Sequence, residues 1–253
     1  MRLQVAVIFG TVTLDAMGIG LILPVMPNLI QEVSHSDLAN AAIWGGILTT
    51  AFAVMQFLFG PVIGNISDRF GRRPVMLISL SVMALDYLVM AVAPNIWILL
   101  IGRLVGGITA ATYSTANAYM ADISQPQDKA KNFGYVGAAF GIGFVLGPAM
   151  GGVLAEFGSR APFWVAAFLA GGTAVFGYFA LPESLAQELR RPFRWARANP
   201  FGAFLAIGRL PGIRMLLLTF FFYEVALMVY MAVWPYYGVA LFDWSPGMVG
   251  LSL

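Results

Sequence analysis

The sequence predicts an all-α protein that crosses a membrane several times, and three observations favour this fold class. Hydrophobic residues make up 60% of the chain and charged residues 10%, whereas a soluble domain carries about 25% charged residues. The mean hydropathy is +0.82. The apolar residues also form near-continuous runs, and a run of roughly 20 such residues is what a helix needs to cross the hydrocarbon core. The strands of a membrane barrel alternate over about ten residues, so these longer runs disfavour a barrel.

Seven apolar runs are long enough to be spans. The breaks between them are short and contain turn formers, such as Ala93-Pro94-Asn95 and Gly158-Ser159-Arg160. The first run lacks the small-x-small cleavage site of a signal peptide, so it is predicted to be a membrane span. The predicted spans lie at about 3–30, 41–66, 74–93, 96–122, 133–156, 162–181 and 211–240.

An eighth apolar helix begins near the end of the sequence. Ser245 and Pro246 are typical of a helix N-cap and first turn, but the sequence stops at Leu253. So short a helix cannot cross a membrane. The chain is therefore expected to be a fragment of a longer protein.

The connection after the sixth span is longer than the others and rich in arginine, with Arg190, Arg191, Arg194, Arg197 and Arg209. It is interpreted either as a simple loop or, in part, as an amphipathic helix on the membrane surface. The predicted organisation is an N-terminal six-helix bundle over residues 1–181 and a cytoplasmic inter-bundle loop over 182–210. Residues 211–253 form the seventh helix and the start of the eighth, which leaves the C-terminal bundle incomplete.

The basic residues predict the orientation. If the amino terminus is cytoplasmic, every Lys and Arg except Arg103 and Arg160 falls on the cytoplasmic side, including Arg2. This distribution is the one that the positive-inside rule requires. The net charge of +2 then follows from the cytoplasmic loops, and no nucleic-acid partner is expected.

Several classes of chemistry are disfavoured by residues that the sequence lacks. It contains no cysteine and one histidine, His35, so thiol catalysis, disulfides and thiolate metal sites are excluded. It has neither a phosphate-binding loop nor a His/Cys/Asp grouping. We therefore expect no enzyme activity, no bound metal and no nucleotide or redox cofactor.

Four ionisable residues fall inside predicted spans: Asp15, Asp86, Arg103 and Glu224. Each would cost about 2.5–3.5 kcal/mol if it faced lipid, so each should face a cavity or a partner. At about 1.5 Å of rise per residue, the first three lie at a similar depth. We expect Asp15 to pair with Arg103, and Asp15 or Asp86 to exchange a proton. The alternative is a purely structural ion pair that orients helices.

Polar and aromatic side chains within the spans are candidates to line a substrate cavity. They are Gln56, Tyr113, Asn117 and Glu224, and Tyr113 and Asn117 share a helix face at i and i+4. Packing, or placement at the membrane interface, is the alternative role for each.

The connection between the second and third spans, Gly64 to Pro74, is predicted to be a tight turn because Gly71 allows unusual backbone angles. Asp68 lies among three arginines, and the positive-inside rule does not explain an acid there. The segment resembles a loop pattern of the major facilitator superfamily, in which it acts as a conformational latch between the two halves. We call it the gating loop, and the matching positions are Gly64, Asp68, Arg69, Gly71, Arg72 and Arg73.

The fifth span carries a row of glycines. Gly143, Gly147 and Gly151 fall on one face and let another helix approach closely, while Pro148 removes a backbone donor and allows a bend. Together with Gly152, these residues resemble the glycine motif of the drug/proton antiporters of the major facilitator superfamily.

Further matches narrow the resemblance to the tetracycline-resistance branch. They are the first-span sequence from Leu14 to Pro27, Leu85-Asp86-Tyr87, and the segment from Gly102 to Thr109. The resemblance implies a major facilitator fold with twelve spans in the whole protein. It also implies proton coupling at Asp15, Asp86 and Arg103.

The same resemblance implies export of a drug-like compound, tetracycline or similar, by antiport and alternating access in the bacterial inner membrane. The proton gradient would supply the energy, and a tetracycline-like substrate would be carried as a metal chelate. The implied partners are the lipid bilayer, protons, a small amphiphilic substrate and the missing C-terminal bundle.

Two departures from the branch leave alternatives open. Asn65 stands where the resistance proteins commonly have lysine, and Tyr223 to Met228 replace a glutamine-bearing stretch. The alternatives are a major facilitator transporter of another metabolite, or an inactive truncated fragment.

Overall fold

The computed structural model describes residues 3–202 and 212–253. In this part of the chain the regular structure is helical, and 7 helical stretches are long and apolar enough to cross a membrane. These stretches confirm the all-α fold class and the predicted spans. The described residues do not include Arg2 or residues 203–210 of the predicted inter-bundle loop, a range that contains Arg209.

Ten α-helices make up the described structure. The first span contains two of them, joined by a 3₁₀ turn at Leu23–Val25, and the fourth span also contains two. In order, the helices are α1 (Leu3–Ile22), α2 (Met26–Ser34), α3 (Leu38–Phe70), α4 (Arg72–Val92), α5 (Ile96–Thr109), α6 (Thr112–Ile123), α7 (Lys129–Leu154), α8 (Ala161–Ala180), α9 (Arg214–Phe242) and α10 (Pro246–Ser252).

Side-chain caps explain where three of these helices begin. Asp37 accepts a hydrogen bond from the Asn40 amide at 2.9 Å and starts α3. Asn95 caps α5 in the same way. Ser245 accepts from the amide of Met248 and starts α10, as predicted. A short polar side chain at this position satisfies an amide that the helix leaves free.

The gating loop is shorter than the sequence predicts. Helix α3 continues to Phe70 and α4 begins at Arg72, so Gly71 alone separates them. Gly71 has φ of +112°, a backbone conformation that glycine adopts without steric cost. The expected turn is therefore one residue long, and Gly64 lies inside α3 rather than in a loop.

The residues that follow α8 are irregular. Over 182–199 the chain forms 3₁₀ turns at Gln187–Leu189 and Trp195–Arg197. The remaining residues in this range do not form regular secondary structure. Of the two interpretations left open by the sequence, this part of the connection fits the simple loop.

Helix α1 lies at the centre of the six-span bundle. It packs along α7 and α8, while α3 packs on α5 and α4 packs on α8. Two buried apolar clusters fill the interior. One lies near α2 and includes Leu29, Tyr87 and Phe163, and the other includes Ile8 and Tyr119. The intramembrane acids Asp15 and Asp86 are buried within this packing.

Helices α9 and α10 join the bundle at one end only. The buried residues of α9 are Pro235, Tyr236 and Gly238, and the Tyr236 hydroxyl lies against Gly45 near the start of α3. Helix α10 packs on α7. The first part of α9 is exposed, with Phe222 at 66%. Helices α9 and α10 therefore contact the six-span bundle at its α2–α3 end, and the first part of α9 stands apart from it at the gating-loop end.

Candidate functional site

Asp86 and Arg103 form a buried ion pair inside the bundle. Asp86 on α4 is 3% exposed, and its Oδ2 accepts a hydrogen bond from the Arg103 guanidinium on α5. Gly102 and Gly106 make room for this carboxyl group, because a Cβ at either position would lie within 2.7 Å of a carboxylate oxygen. The Arg103 guanidinium also lies 5.0 Å from the centre of the Phe52 ring on α3, so three helices hold one cation.

The predicted pair between Asp15 and Arg103 is wrong in this structure. Arg103 is bound by Asp86 instead, because α4 and α5 pack directly on each other and bring the two side chains together. Asp15 forms no salt bridge among the described residues. The similar depth of the three charges did not indicate which two would meet.

Asp15 lies on α1 in a different environment. It is 8% exposed, and its Oδ1 is buried without a hydrogen-bond partner in the described part of the chain. The side chain of Thr112 is a polar neighbour, and its Oγ1 is also without a hydrogen bond of normal geometry. A buried polar atom that lacks a partner is unusual and costly, so this carboxyl group is available for a proton or a ligand.

A break in the fourth span explains why Thr112 is next to Asp15. The helix is interrupted at Ala110 and Ala111, and α6 begins at Thr112. The free carbonyl of Ala110 accepts a hydrogen bond from Nε2 of Gln56 at 3.2 Å. The N-terminus of a helix carries a partial positive charge, so the start of α6 offers Asp15 favourable electrostatics without a cationic side chain.

Tyr87 is a site residue to which the sequence analysis assigned no role. It is fully buried, and a Cβ at Gly18 of α1 would lie 3.3 Å from its hydroxyl. The phenol is within electrostatic range of Asp15, Asp86 and Arg103. The sequence feature that could have indicated this role is its position directly after Asp86, an acid inside a predicted span. Tyr87 thus connects the environment of Asp15 to the ion pair.

The candidate cavity residues are not gathered into one place. Gln56 is exposed and reaches the break in the fourth span. Tyr113 packs edge-to-face on Phe140 at 5.1 Å, and Asn117 donates to the Tyr113 carbonyl on its own helix at 3.0 Å. Glu224 is partly buried on α9, outside the part of that helix that contacts the bundle. Gln56 and Tyr113 therefore lie near Thr112 at the start of α6, whereas Glu224 lies on a separate helix.

The gating loop contains a second group of charges. Arg72 contacts Asp68 at 2.6 Å and Asp122 at 3.1 Å, and it donates to the Ser67 hydroxyl at 3.0 Å. Asp68 is therefore paired with one of the arginines that surround it in the sequence. Asp122 was missed, although an acid at the end of a span beside a basic loop was a usable signal.

The two other arginines of the gating loop bind elsewhere. The Arg69 guanidinium lies 5.0 Å from the centre of the Phe70 ring. Arg73 donates to the carbonyl of Tyr178 on α8 and lies over its ring at 5.2 Å. The gating loop is thus attached to α8 as well as to α6.

The glycine face of α7 packs directly on the backbone of α1. A Cβ at Gly147 would lie 2.7 Å from the Cα of Gly20, and Gly143 and Gly151 contact the same helix. On the other side of the motif, Gly152 meets Gly247, and the Pro148 carbonyl lies against Gly250. The motif therefore packs against both the first span and α10.

Metal binding has no visible basis in the part of the chain that the structure describes. No group of three His, Cys, Asp or Glu side chains there could hold a metal ion. Asp68, Asp122 and Glu32 instead pair with arginines.

Comparison with known proteins relates this arrangement to transporters. The chain is 45% identical to the class C tetracycline resistance protein of Escherichia coli, over 98% of this chain and 62% of that protein. It is 39% identical to the class G tetracycline resistance protein of Vibrio anguillarum, over 100% of this chain and 64% of that protein. The predicted resemblance to the tetracycline-resistance branch is confirmed. The chain spans less than two thirds of the length of either relative.

A solved structure and a family model agree with these relatives. The crystal structure of the human organic anion transporter MFSD10 superposes with a TM-score of 0.75 and 27% identity, covering 99% of this chain and 70% of that one. The sequence model of the Major Facilitator Superfamily matches residues 8–253. With its 7 helices of membrane-spanning length, this multi-pass membrane chain belongs to the Major Facilitator Superfamily.

Proposed function

We propose that the protein exports tetracycline or a similar amphiphilic compound in exchange for protons. The observation that carries this proposal is the presence of two acids inside the bundle, Asp15 and Asp86, of which only Asp86 has a cation partner among the described residues. Burying such groups is costly, so their presence favours a transport role. The 45% identity to a tetracycline resistance protein supports the choice of substrate class.

The geometry favours Asp15 as the acid that exchanges the proton. Asp86 is neutralised by Arg103, so adding a proton to it would leave the guanidinium without its counter-charge. Asp15 has the start of α6 and the Thr112 side chain beside it instead. It can therefore gain or lose a proton without breaking an ion pair.

The arrangement of α9 and α10 supports alternating access as the mechanism. Their contacts with the six-span bundle occur at the α2–α3 end, whereas the first part of α9 is exposed. Transporters of this type rock two bundles about a central site. The structure has the form expected of a state that is closed at the α2–α3 end.

We also propose an orientation, a membrane and a set of partners for the protein. The basic gating loop favours a cytoplasmic amino terminus, which makes the α2–α3 end the outer one, and the relatives favour a bacterial inner membrane. The proposed partners are lipid, protons, the substrate and a further C-terminal bundle. We propose no enzyme activity and no resident cofactor; a tetracycline-like substrate would enter as a metal chelate.

Transport in inverted membrane vesicles tests this function. We expect a pH gradient to drive tetracycline uptake, and Asp15→Asn to abolish gradient-driven exchange while membrane insertion is unchanged. Asp37→Asn is the matched control, because Asp37 is an exposed N-cap and Asn caps a helix equally well.

Two outcomes would contradict parts of the proposal. Unchanged exchange in Asp15→Asn would remove the proton role of this residue. Gradient-driven uptake of another metabolite, with none of tetracycline, would retain the coupling mechanism and replace the substrate.

A further inference from the structure

We infer that the segment after α8 is a strap that holds the gating loop in place, and that Glu183 is its main positioning residue. The strap comprises Pro182–Ala198. Its consequence for transport rests on the proposed function, but its contacts with the gating loop do not. Neither the composition nor the glycine motif indicates such an element.

Glu183 anchors the strap to the start of α4. Its Oε1 accepts a hydrogen bond from the amide of Arg72 at 2.8 Å, and its Oε2 accepts one from the amide of Arg73 at 3.3 Å. The same carboxylate accepts from the amides of Ser184 and Leu185 at 3.0 Å each. Four amides thus converge on one charged group, and charge-assisted hydrogen bonds of this kind are the strong ones.

Gly71 is required by this anchor as well as by the turn. A Cβ at Gly71 would overlap the Oε2 atom of Glu183. The residue between α3 and α4 must therefore lack a side chain, because the acid of the strap occupies that space. The carboxylate also lies at the N-terminus of α4, where a negative charge is favourable.

Two further contacts attach the strap to the last turns of α3. The Arg191 amide donates to the Asp68 carbonyl at 3.0 Å, and Asn65 Nδ2 donates to the Arg194 carbonyl at 2.7 Å. Asn65 is 4% exposed. Asn65, which stands where the resistance proteins commonly have lysine, is thus buried beneath the strap.

The strap also reaches the charge cluster of the gating loop. The Ser184 hydroxyl donates to Asp122 Oδ2 at 3.1 Å, and the same oxygen accepts a hydrogen bond from Arg72. A cavity of about 260 Å³ lies between the strap and this cluster. The strap therefore binds both helices of the gating loop and the acid at the end of α6.

Because of these contacts, the gating loop moves together with the six-span bundle. The strap leads along the chain toward α9, so motion of α9 relative to the bundle would pull on the strap before it reached the gating loop. The anchors resist that pull, and they keep Asp68 and Arg72 in their paired arrangement during transport. Loss of the Glu183 anchor should slow the conformational step and leave substrate affinity unchanged.

Cysteine labelling tests the strap without relying on transport. The chain contains no cysteine, so Leu185→Cys provides a single label site on the strap, at a position that is 7% exposed. We expect Glu183→Ala to raise the rate of maleimide labelling about tenfold, because the amides of α4 and the strap lose a charged acceptor. Glu188→Ala, an exposed acid on the same segment, should leave the rate unchanged.

A second anchor gives an independent test. Asn65→Ala removes the donor to the Arg194 carbonyl, so it should also raise labelling of Leu185→Cys, by a factor of a few. Unchanged labelling in both Glu183→Ala and Asn65→Ala would overturn the strap.

Transport measurements then test the positioning role. With the natural Leu185, Glu183→Ala should lower the turnover rate several-fold at unchanged KM, whereas Glu183→Gln, which retains an acceptor oxygen, should lower it less. Faster labelling with normal turnover would overturn the positioning role and leave the proposed function intact. If the parent protein transports no tetracycline, the proposed substrate is wrong, and the labelling rates still decide whether the strap exists.

Discussion

The residues of the site show how one arginine can divide two acids into different roles. Arg103 binds Asp86 and packs on Phe52, while Asp15 is held next to Thr112. A buried charge without its partner is far more costly than the pair. The stability of the buried charges therefore depends on Asp86 and Arg103 together, whereas Asp15 can gain or lose a proton without breaking that pair.

A double-mutant comparison tests whether Asp86 and Arg103 act as a unit. Asp86→Asn leaves the guanidinium unpaired and should lower the stability of the protein in detergent by about 3–5 kcal/mol. Asp86→Asn combined with Arg103→Gln should recover part of that loss, because no net charge is left unmatched. Thermal unfolding in micelles measures both, with Asp37→Asn as a surface control. If the double variant is less stable than the single one, the two residues do not act as a unit.

At the scale of helices, the contact between α1 and α7 depends on missing side chains. The backbones meet where Gly147 faces Gly20. Helices in lipid associate mainly through such close packing, because the hydrophobic effect does not drive them together. The expected close approach of the glycine face is observed, and its partner is the helix that carries Asp15.

A pair of alanine substitutions on α7 tests this packing. Gly147→Ala would place a Cβ 2.7 Å from the Gly20 Cα, so it should destabilise the protein by about 1–3 kcal/mol. Gly137→Ala is the matched control, because a Cβ there would meet no described atom within 4 Å, and alanine favours a helix by about 1 kcal/mol over glycine. Equal thermal stability of the two variants would contradict the close contact.

At the scale of the whole molecule, closure at the α2–α3 end depends on Tyr236. Its hydroxyl occupies the space that a Cβ at Gly45 would need, and it has no hydrogen-bond partner among the described residues. The contact is therefore steric rather than polar. It is one of the few contacts of α9 with the bundle, so it is expected to control how completely this end closes.

Three variants test the closure. Gly45→Ala should slow tetracycline exchange several-fold, because the new methyl group prevents Tyr236 from docking. Gly46→Ala should have no effect, because its Cβ would meet no described atom within 4 Å. Adding Tyr236→Phe to Gly45→Ala removes the overlapping hydroxyl and should restore part of the rate. Vesicle transport measures all three, and failure of the second substitution to rescue exchange would contradict this account.

The sequence by itself determined the approximate spans, the helix cap at Ser245 and the presence of a tight turn that contains Gly71. These features follow from local properties: the length of an apolar run, a short polar side chain before a helix, and the backbone freedom of Gly71. A position inside a predicted span likewise identified Asp15, Asp86 and Arg103 as site candidates, and the family motif identified the glycine face.

The tertiary structure alone decided which groups meet. The spacing of Asp15, Asp86 and Arg103 along the chain gives their depth in the bundle but not the rotation and neighbours of their helices, so the sequence predicted the wrong ion pair. The break before Thr112, the contact of Tyr236 with Gly45 and the Glu183 anchor each join residues from different elements. Such contacts depend on how the helices pack, and packing is a property of the folded chain as a whole.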